Sequence, residues 1–244
     1  GLTDGPGNVL VGRNAGSAMT TSDYNVAIGH SALAGLTTNS HDNIAIGMAA
    51  LFTQALEQSA NVSSLAIGRN ALYFQNHADA NNLAIGHSAG NAVTTGSQNA
   101  LIGYQAGKAI QTANGNTVLG YQSLKAATSA DNVAVGRSAG LLLTTGANNT
   151  LMGSFAMSAA NGGEANNTVI GKSALTHLDT DTSDDNVAVG DQAARYSGGS
   201  NNVTGVATSV YIGSETEVSA ASGISNEIAI GYATTGIGNN TVAL

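Results

Sequence analysis

Cysteine and tryptophan are absent from this chain of 244 residues, and proline occurs once. Without cysteine, neither a disulfide framework nor a thiolate metal site is possible. Aromatic residues make up 4% of the chain and charged residues 9%, whereas an ordinary globular domain is about 25% charged. A core made of Ala, Val, Ile and Leu without large aromatic rings favours a thin, layered structure over a thick globular one.

Basic residues are also scarce. Seven Lys and Arg residues stand against fifteen Asp and Glu residues, which gives a formal net charge of −8. Nucleic acid is therefore not an expected partner, because neutralising phosphates needs clustered basic side chains. No apolar run reaches about eighteen residues, so the sequence predicts no transmembrane helix and no membrane insertion. The chain starts at Gly1 without methionine, and we expect it to be a processed form or a fragment.

The chain is dominated by one repeat, a pentad close to Asn-Val-Ala-Ile-Gly. Its closing residue, called the motif glycine below, recurs every 16 to 23 residues and leaves no room for a separate second domain, so residues 1–244 are predicted to form one repeat domain. A last pentad is expected to start at Asn240. The motif glycines are Gly12, Gly29, Gly47, Gly68, Gly86, Gly103, Gly120, Gly136, Gly153, Gly171, Gly190, Gly213 and Gly231.

Positions around the motif glycine are written relative to it. Position −1 is always large and apolar, position −4 is Asn in ten of thirteen copies, and position +7 is often apolar. The pentad predicts a short strand, and positions +7 to +9 predict a second, weaker one. Two strands and two turns in about 17 residues predict an all-β, parallel β-solenoid (a β-roll) of 13 to 14 coils. The glycine is expected to supply a positive φ or a close backbone approach, and asparagines such as Asn25, Asn43 and Asn82 to stack as an amide ladder.

Two longer gaps predict insertions. Residues 51–60 are helix-prone, and residues 196–208 include a Gly- and Ser-rich loop that we expect to be flexible. Insertions in a solenoid lie on one face and often carry binding.

The pentads at Asn25–Gly29 and Asn43–Gly47 resemble the repeat of trimeric autotransporter adhesin heads. Longer strings such as Asn99–Gly107 and Asn116–Leu124 resemble trimeric phage tail fibres. The resemblance covers the whole chain and implies three chains, each a left-handed β-roll, packed around a common axis. It also implies an extracellular location, on a virion tail fibre or a bacterial surface, and in many phage relatives a self-cleaving chaperone domain that follows the repeats.

The strand pattern gives a second reason to expect a homotrimer. Positions −3 and −1 share one face of the strand, and position −2, often Ala, lies on the other; both faces are apolar. A strand that is apolar on both faces is normally buried on both. We expect one face to fill the solenoid core and the other to meet a partner chain, with alanine small enough for close approach.

The residue after the motif glycine forms the strongest candidate binding row, called the surface row below. Basic, His and Tyr side chains recur at this position, and we expect them to face solvent one coil apart, with Tyr104 beside Tyr121. The simpler interpretation is an exposed position that tolerates any polar residue; the functional one is a row that contacts a cell-surface glycan or a protein receptor. The row's named candidates are Arg69, His87, Tyr104, Tyr121 and Arg137.

Other chemistry is weakly indicated. The acidic run at residues 179–185 offers Asp179, Asp181 and Asp185 as weak calcium candidates, but it lacks the turn glycine and bidentate Glu of a calcium loop. No catalytic constellation recurs, so we expect no enzyme and no cofactor, and a polysaccharide-degrading β-helix is the less favoured alternative. Consecutive threonines suggest a second alternative, an ice-binding solenoid, although neighbours in a strand point to opposite faces. They are Thr20–Thr21, Thr37–Thr38, Thr94–Thr95 and Thr144–Thr145.

Overall fold

A computed structural model of the chain describes residues 6–35, 41–53, 63–76, 80–178, 183–197 and 201–244. These residues are all-β and contain no helix. They belong to two compact units of the same repeat, Gly1–Leu119 and Gly120–Leu244. The predicted fold class, an all-β solenoid of parallel strands with one coil per repeat, is confirmed.

The first unit contains seven strands of three residues each. Neighbours along the chain pair in parallel and in register, so that position −2 of one coil lies beside position −2 of the next. The strands are β1 (Val9–Val11), β2 (Val26–Ile28), β3 (Ile44–Ile46), β4 (Leu65–Ile67), β5 (Leu83–Ile85), β6 (Ala100–Ile102) and β7 (Thr117–Leu119).

The second unit repeats this row and adds two small sheets. The row runs β8-β9-β10-β11-β15-β17-β18, again parallel. Antiparallel β12–β13 and parallel β14–β16 lie outside it. The strands are β8 (Val133–Val135), β9 (Thr150–Met152), β10 (Thr168–Ile170), β11 (Val187–Val189), β12 (Tyr196–Ser197), β13 (Asn201–Asn202), β14 (Val206–Ala207), β15 (Val210–Ile212), β16 (Ile224–Ser225), β17 (Glu227–Ile230) and β18 (Thr241–Ala243).

The motif glycine combines both properties expected of it. Its φ lies between 127° and 147° in all thirteen copies, a region that L-residues rarely adopt. The backbones of successive coils also meet there: a Cβ on Gly29 would lie 2.7 Å from the carbonyl group of Gly47. Within each unit the glycines therefore form a column in which any side chain would collide with the next coil.

The second strand predicted at positions +7 to +9 is wrong. Apart from Ser197 in β12, the described residues at these positions are turn or irregular, and each coil has the pentad as its main strand. The coil turns instead at left-handed residues at positions −5, +2 and +4, such as Asp131, Ser138 and Leu124 with φ of 58°, 57° and 43°. The backbone hydrogen bonds of these corners go to the neighbouring coil, as Ser138 N–H to Tyr121 O at 2.9 Å shows. Stacking of coils, rather than a second strand, satisfies the backbone.

The core is filled by the side chains at positions −2, +3 and +4, and the side chain at +7 occupies the space that the one at +4 leaves. Where +4 is a large buried side chain such as Leu124, +7 can be small, as Ala127 is; where +4 is glycine, as at Gly90, +7 is large, here Val93. A left-handed Leu costs about 1–2 kcal/mol of backbone strain, which burial of its side chain, about 1.5–3 kcal/mol, offsets. The large +4 side chains are Leu33, Leu51, Leu72, Leu124, Met157 and Leu175.

The asparagines form a ladder in each unit. Asn43 donates both its backbone N–H and its Nδ2–H to Asn25 Oδ1, at 3.0 and 3.1 Å, and is fully buried. Asn99 bonds to Asn82 Oδ1 in the same way, at 2.9 and 3.2 Å. One carbonyl oxygen thus satisfies two donors of the next coil, because the coils repeat in register.

Three expectations about the irregular parts change. The final strand pairs Thr241 with Glu227, so Asn240 is a left-handed corner residue and not the start of a ladder pentad. Leu51 has φ of 48° and is a core corner, so it does not begin a helix; residues 54–60 of that predicted insertion lie outside the described residues. In the insertion at 196–208, β12 and β13 pair in antiparallel fashion, so these four residues are strand and not loop; residues 198–200 of the expected flexible loop lie outside the described residues.

Candidate functional site

The five named residues of the surface row all reach the surface. Arg69 and Arg137 are exposed, Tyr104 and Tyr121 are 40% and 51% exposed, and His87 is half-buried. They hold this position because the residue after the motif glycine opens a tight turn and its side chain points away from the core. The row is therefore a surface feature in both units.

Several members of the row are already engaged with their neighbours. The His87 and Tyr104 rings stack with centroids 5.4 Å apart and planes at 11°, so one face of Tyr104 is covered. The guanidinium of Arg137 lies 4.7 Å over the ring of Phe155, a position +2 residue. Tyr104 and Tyr121 belong to different units, and the predicted stack between them stays a prediction.

The acidic run offers little as a metal site in the part of the chain that the structure describes. Asp185 is an exposed left-handed corner with φ of 59°, and its backbone N–H bonds to Ala165 O at 3.2 Å. Asp179 and Asp181 lie outside the described residues. Among described residues, no group of three His, Cys, Asp or Glu side chains could hold a metal ion.

A row of exposed apolar side chains lies on the strand face that we expected to fill the core. We expected alanine at −2 to approach a partner chain, but Ala27, Ala45 and Ala84 are fully buried, while positions −3 and −1 point outward. Ile28 and Met152, for example, are 37% and 42% exposed. The side chain at position −2 lies inside the closed coil whatever its size, since Leu101, Val118 and Val169 are buried there as well. We call the row formed by positions −3 and −1 the apolar stripe.

The apolar stripe is continuous within each unit, since register pairing places equivalent residues side by side. In the first unit it consists of Val9, Val11, Val26, Ile28, Ile44, Ile46, Leu65, Ile67, Leu83, Ile85, Ala100, Ile102, Thr117 and Leu119. In the second unit it consists of Val133, Val135, Thr150, Met152, Thr168, Ile170, Val187, Val189, Val210, Ile212, Ile228 and Ile230.

The threonine pairs are poorly suited to an ice-binding array. Thr94 Oγ1 donates to Gln111 O at 3.2 Å, and Thr144 Oγ1 donates to Asn161 O at 3.1 Å. These hydroxyls bond to the backbone of the adjacent coil, which leaves them less available to order water. Thr37 and Thr38 lie outside the described residues.

A groove lies on the surface of the second unit. Gln192, Tyr196, Glu215, Thr216 and Glu217 line a volume of about 220 Å³. This groove was not predicted from the sequence, although Tyr196 belongs to the 196–208 insertion. Its one sequence signal is Glu217 at position +4, where six coils have a buried Leu or Met.

Aromatic side chains also cluster in the first unit. Phe52 stacks on Tyr73 with centroids 4.9 Å apart, and Tyr73 meets Phe74 edge to face at 4.6 Å. Since the stacked rings follow the coil spacing, their faces are turned toward each other and not outward. The stacked pair of Phe52 and Tyr73 therefore packs neighbouring coils, while Phe74 is 47% exposed.

No family model matches the sequence, and comparison with curated proteins and with solved structures finds no match. The class of the protein is thus defined by its own fold, a parallel β-solenoid of short Asn- and Gly-marked coils. In the described ranges, no helix combines the length and apolar character needed to cross a bilayer.

Proposed function

We propose that this chain is a structural and adhesive segment of an extracellular fibre in which three copies associate along the apolar stripe, with no catalytic role. The observation that carries the proposal is the stripe itself. Val11, Leu119 and Ile170 are 55%, 46% and 37% exposed, in rows that run along each unit. Contiguous apolar patches larger than about 300–600 Å² are rare on monomers and mark interaction surfaces.

Another copy of the same chain is the partner that fits the stripe best. The coils repeat at about 4.8 Å, so two stripes from identical chains have the same spacing along their whole length. Homo-oligomers use closed symmetry, and a parallel cyclic arrangement keeps equivalent coils level with each other. The number three comes from the resemblance of the pentads to phage tail fibres and autotransporter adhesin heads.

The chemistry of the rest of the surface supports a passive role. The net charge of −8 per chain keeps such an assembly soluble and away from anionic surfaces in general. We propose that the assembly is part of a virion tail fibre or of a bacterial surface adhesin and attaches to a host or another surface. The surface row and the insertions would carry the contact with a glycan or protein receptor.

Light scattering on the purified chain tests the association. We expect a mass near three times 24.1 kDa. A monomer would remove the trimer from the proposal, and a dimer would keep the stripe but overturn the threefold arrangement.

A matched pair of variants then tests the stripe. Ile44→Thr, Leu65→Thr and Leu83→Thr together should give a folded monomer, because Thr already occupies the same −3 position of the stripe at Thr150 and Thr168 without interrupting the strands. The control replaces the three surface-row residues Arg69, His87 and Tyr104 by Ser and should stay trimeric. Equal behaviour of the two variants would show that the stripe does not hold the chains together.

A further inference from the structure

The groove lined by Gln192, Tyr196, Glu215 and Glu217 is held on ordered backbone. Val218 N–H bonds to Tyr196 O at 2.9 Å, and Ser197 and Val218 form a parallel bridge. On the other side, Glu217 bridges to Thr235 and its N–H bonds to Thr234 O at 2.9 Å. The walls are therefore fixed by three successive coils.

A local departure from the repeat opens the groove. Position +4 is left-handed and buried in most coils, but Glu217 lies in an extended bridge and is half-buried. Glu215 is an exposed left-handed corner residue with φ of 58°, Glu217 lies in the bridge two residues later, and both are among the residues that line the groove. The two carboxylates thus line the same groove.

The remaining wall is amphipathic. Arg195 lies 4.9 Å over the Tyr196 ring, and its Nη1 donates to Gln192 Oε1 at 3.1 Å, so these three side chains hold one another in place. Thr235 Oγ1 donates to Glu217 Oε2 at 3.2 Å on the opposite side. The groove combines a tyrosine ring with two carboxylates and an amide.

This set of groups matches a ligand with many hydroxyl donors. Carboxylate oxygens accept short, strong hydrogen bonds from O–H groups, and neighbouring carboxylates can accept from neighbouring hydroxyls. The Tyr196 ring adds apolar contact area for the C–H groups of a sugar. An acidic sugar would place a like charge beside Glu215 and Glu217, which is unfavourable. A metal is not indicated, since no third His or acidic ligand joins them among the described residues.

We infer that this groove binds a neutral, hydroxyl-rich glycan. The inference rests on the proposed adhesive role and names its site and ligand class. No residue of the groove belongs to the surface row: Gln192 and Glu215 are at position +2, Glu217 at +4 and Tyr196 at +6.

A glycan array that includes neutral, uronate, sialylated and sulfated oligosaccharides tests the inference on the full chain in EDTA. We expect retention of neutral glycans. Saturation-transfer NMR then compares a galactose tetramer with the matching galacturonic acid tetramer, and the acid should bind at least about tenfold more weakly.

The variant for this test is Glu215→Gln with Glu217→Gln. It should fold, because Gln105, Gln122 and Gln192 occupy the left-handed position of Glu215 with φ of 54–56°. We expect at least about tenfold weaker binding to every neutral glycan retained by the wild type. The control Asp131→Asn removes one carboxylate at a corner of another coil and should bind like the wild type.

Absence of any neutral-glycan signal, equal retention of acidic glycans, or unchanged binding by the double variant would each overturn the inference. Loss of binding in EDTA with recovery in calcium would also overturn it, in favour of a cation site. Light scattering on the same samples keeps the two proposals apart: a trimer that binds no neutral glycan contradicts the groove alone.

Discussion

The Tyr211 hydroxyl donates to Glu227 Oε2 at 2.9 Å, and both side chains are fully buried. Tyr211 stands at position −2, where most coils have Ala, and Glu227 at position −4, where most have Asn. Ser219 and Gly238 donate backbone N–H groups to the same carboxylate, at 3.2 and 2.8 Å. Two departures from the repeat in neighbouring coils therefore compensate each other. Tyr211 brings a buried hydroxyl donor, and the Glu227 carboxylate accepts its hydrogen bond.

Replacing Tyr211 by Phe should lower the free energy of unfolding by about 1.5–3 kcal/mol, the usual contribution of a hydrogen bond to a charged group. Burial first, and then the Glu227 carboxylate, raise the pKa of the Tyr211 hydroxyl well above its ordinary value of 10.0. The folded state thus keeps a proton that the unfolded state releases, so this part of the stability is present below pH 10.0 and is lost as the pH rises above it.

Urea unfolding of wild type and Tyr211→Phe between pH 8 and 11 measures both effects. Tyr232→Phe is the control, because Tyr232 is 75% exposed. A Tyr211→Phe variant with the same alkaline slope as the wild type would contradict the assignment.

The interruption of the ladder at Ser64 predicts a compensating pair. Gln75 Nε2 donates to Ser64 Oγ at 2.9 Å and Asn82 Nδ2 donates to Gln75 Oε1 at 2.9 Å, so Gln75 fills the space of the missing amide. Ser64→Asn and Gln75→Ala should each destabilise the fold, the first by crowding and the second by a cavity with unpaired donors. The double variant should return close to wild type, because it reproduces the coil that contains Asn149 and Ala160.

Thermal unfolding of the four proteins gives a coupling energy, which we expect to be about 1–3 kcal/mol. Additive losses would show that Gln75 does not replace the ladder amide.

The two requirements on a motif glycine can be separated with a control glycine. Gly68 and Gly238 have φ of 127° and 116°, but a Cβ on Gly68 would lie 2.7 Å from the Gly86 carbonyl group, while a Cβ on Gly238 meets nothing within 4 Å. Both Ala variants carry the backbone strain, and only Gly68→Ala also separates two coils. Chemical unfolding should show Gly68→Ala to be the less stable by about 1–3 kcal/mol. Equal losses would mean that φ alone requires glycine.

His177 should make the fold sensitive to mild acid. Burial, and then the Arg195 charge, lower the pKa of His177 below its ordinary value of 6.5. The unfolded state therefore takes up a proton first, so stability that is present above pH 6.5 falls as the pH drops below it. The free energy of unfolding of His177→Gln should fall less between pH 7 and 5 than that of the wild type. The reference is its value at pH 8, where wild-type His177 is neutral. An unchanged decline in the variant would assign the effect to other groups.

How much of the fold could be predicted depends on which residues carry the signal. The spacing of Gly29, Gly47 and Gly68 gives one coil per repeat, and Asn25 and Asn43 at a constant offset give the ladder, because identical neighbours in stacked coils must meet. The left-handed Leu124 carried no such signal, since leucine has no preference for that conformation. Packing against neighbouring coils selects it.

The candidate sites divide in the same way. The surface row was predictable because the residue after a turn glycine points outward in every coil. The groove was not, because Gln192, Tyr196 and Glu217 come together only when the insertion pairs Tyr196 with the following coil.

The sequence by itself determined a parallel, one-coil-per-repeat β-solenoid, because a fixed period with glycine at a crowded corner permits few other structures. The tertiary structure decided which face of each strand lies inside. Alternation at −3, −2 and −1 defines two apolar faces, and either could be the core. The left-handed corners at positions −5, +2 and +4 close the coil over the face of position −2, so that Ala45, Leu101 and Val169 are all fully buried while positions −3 and −1 point outward. The closure of the coil, which no single repeat reveals, thus placed the apolar stripe on the surface.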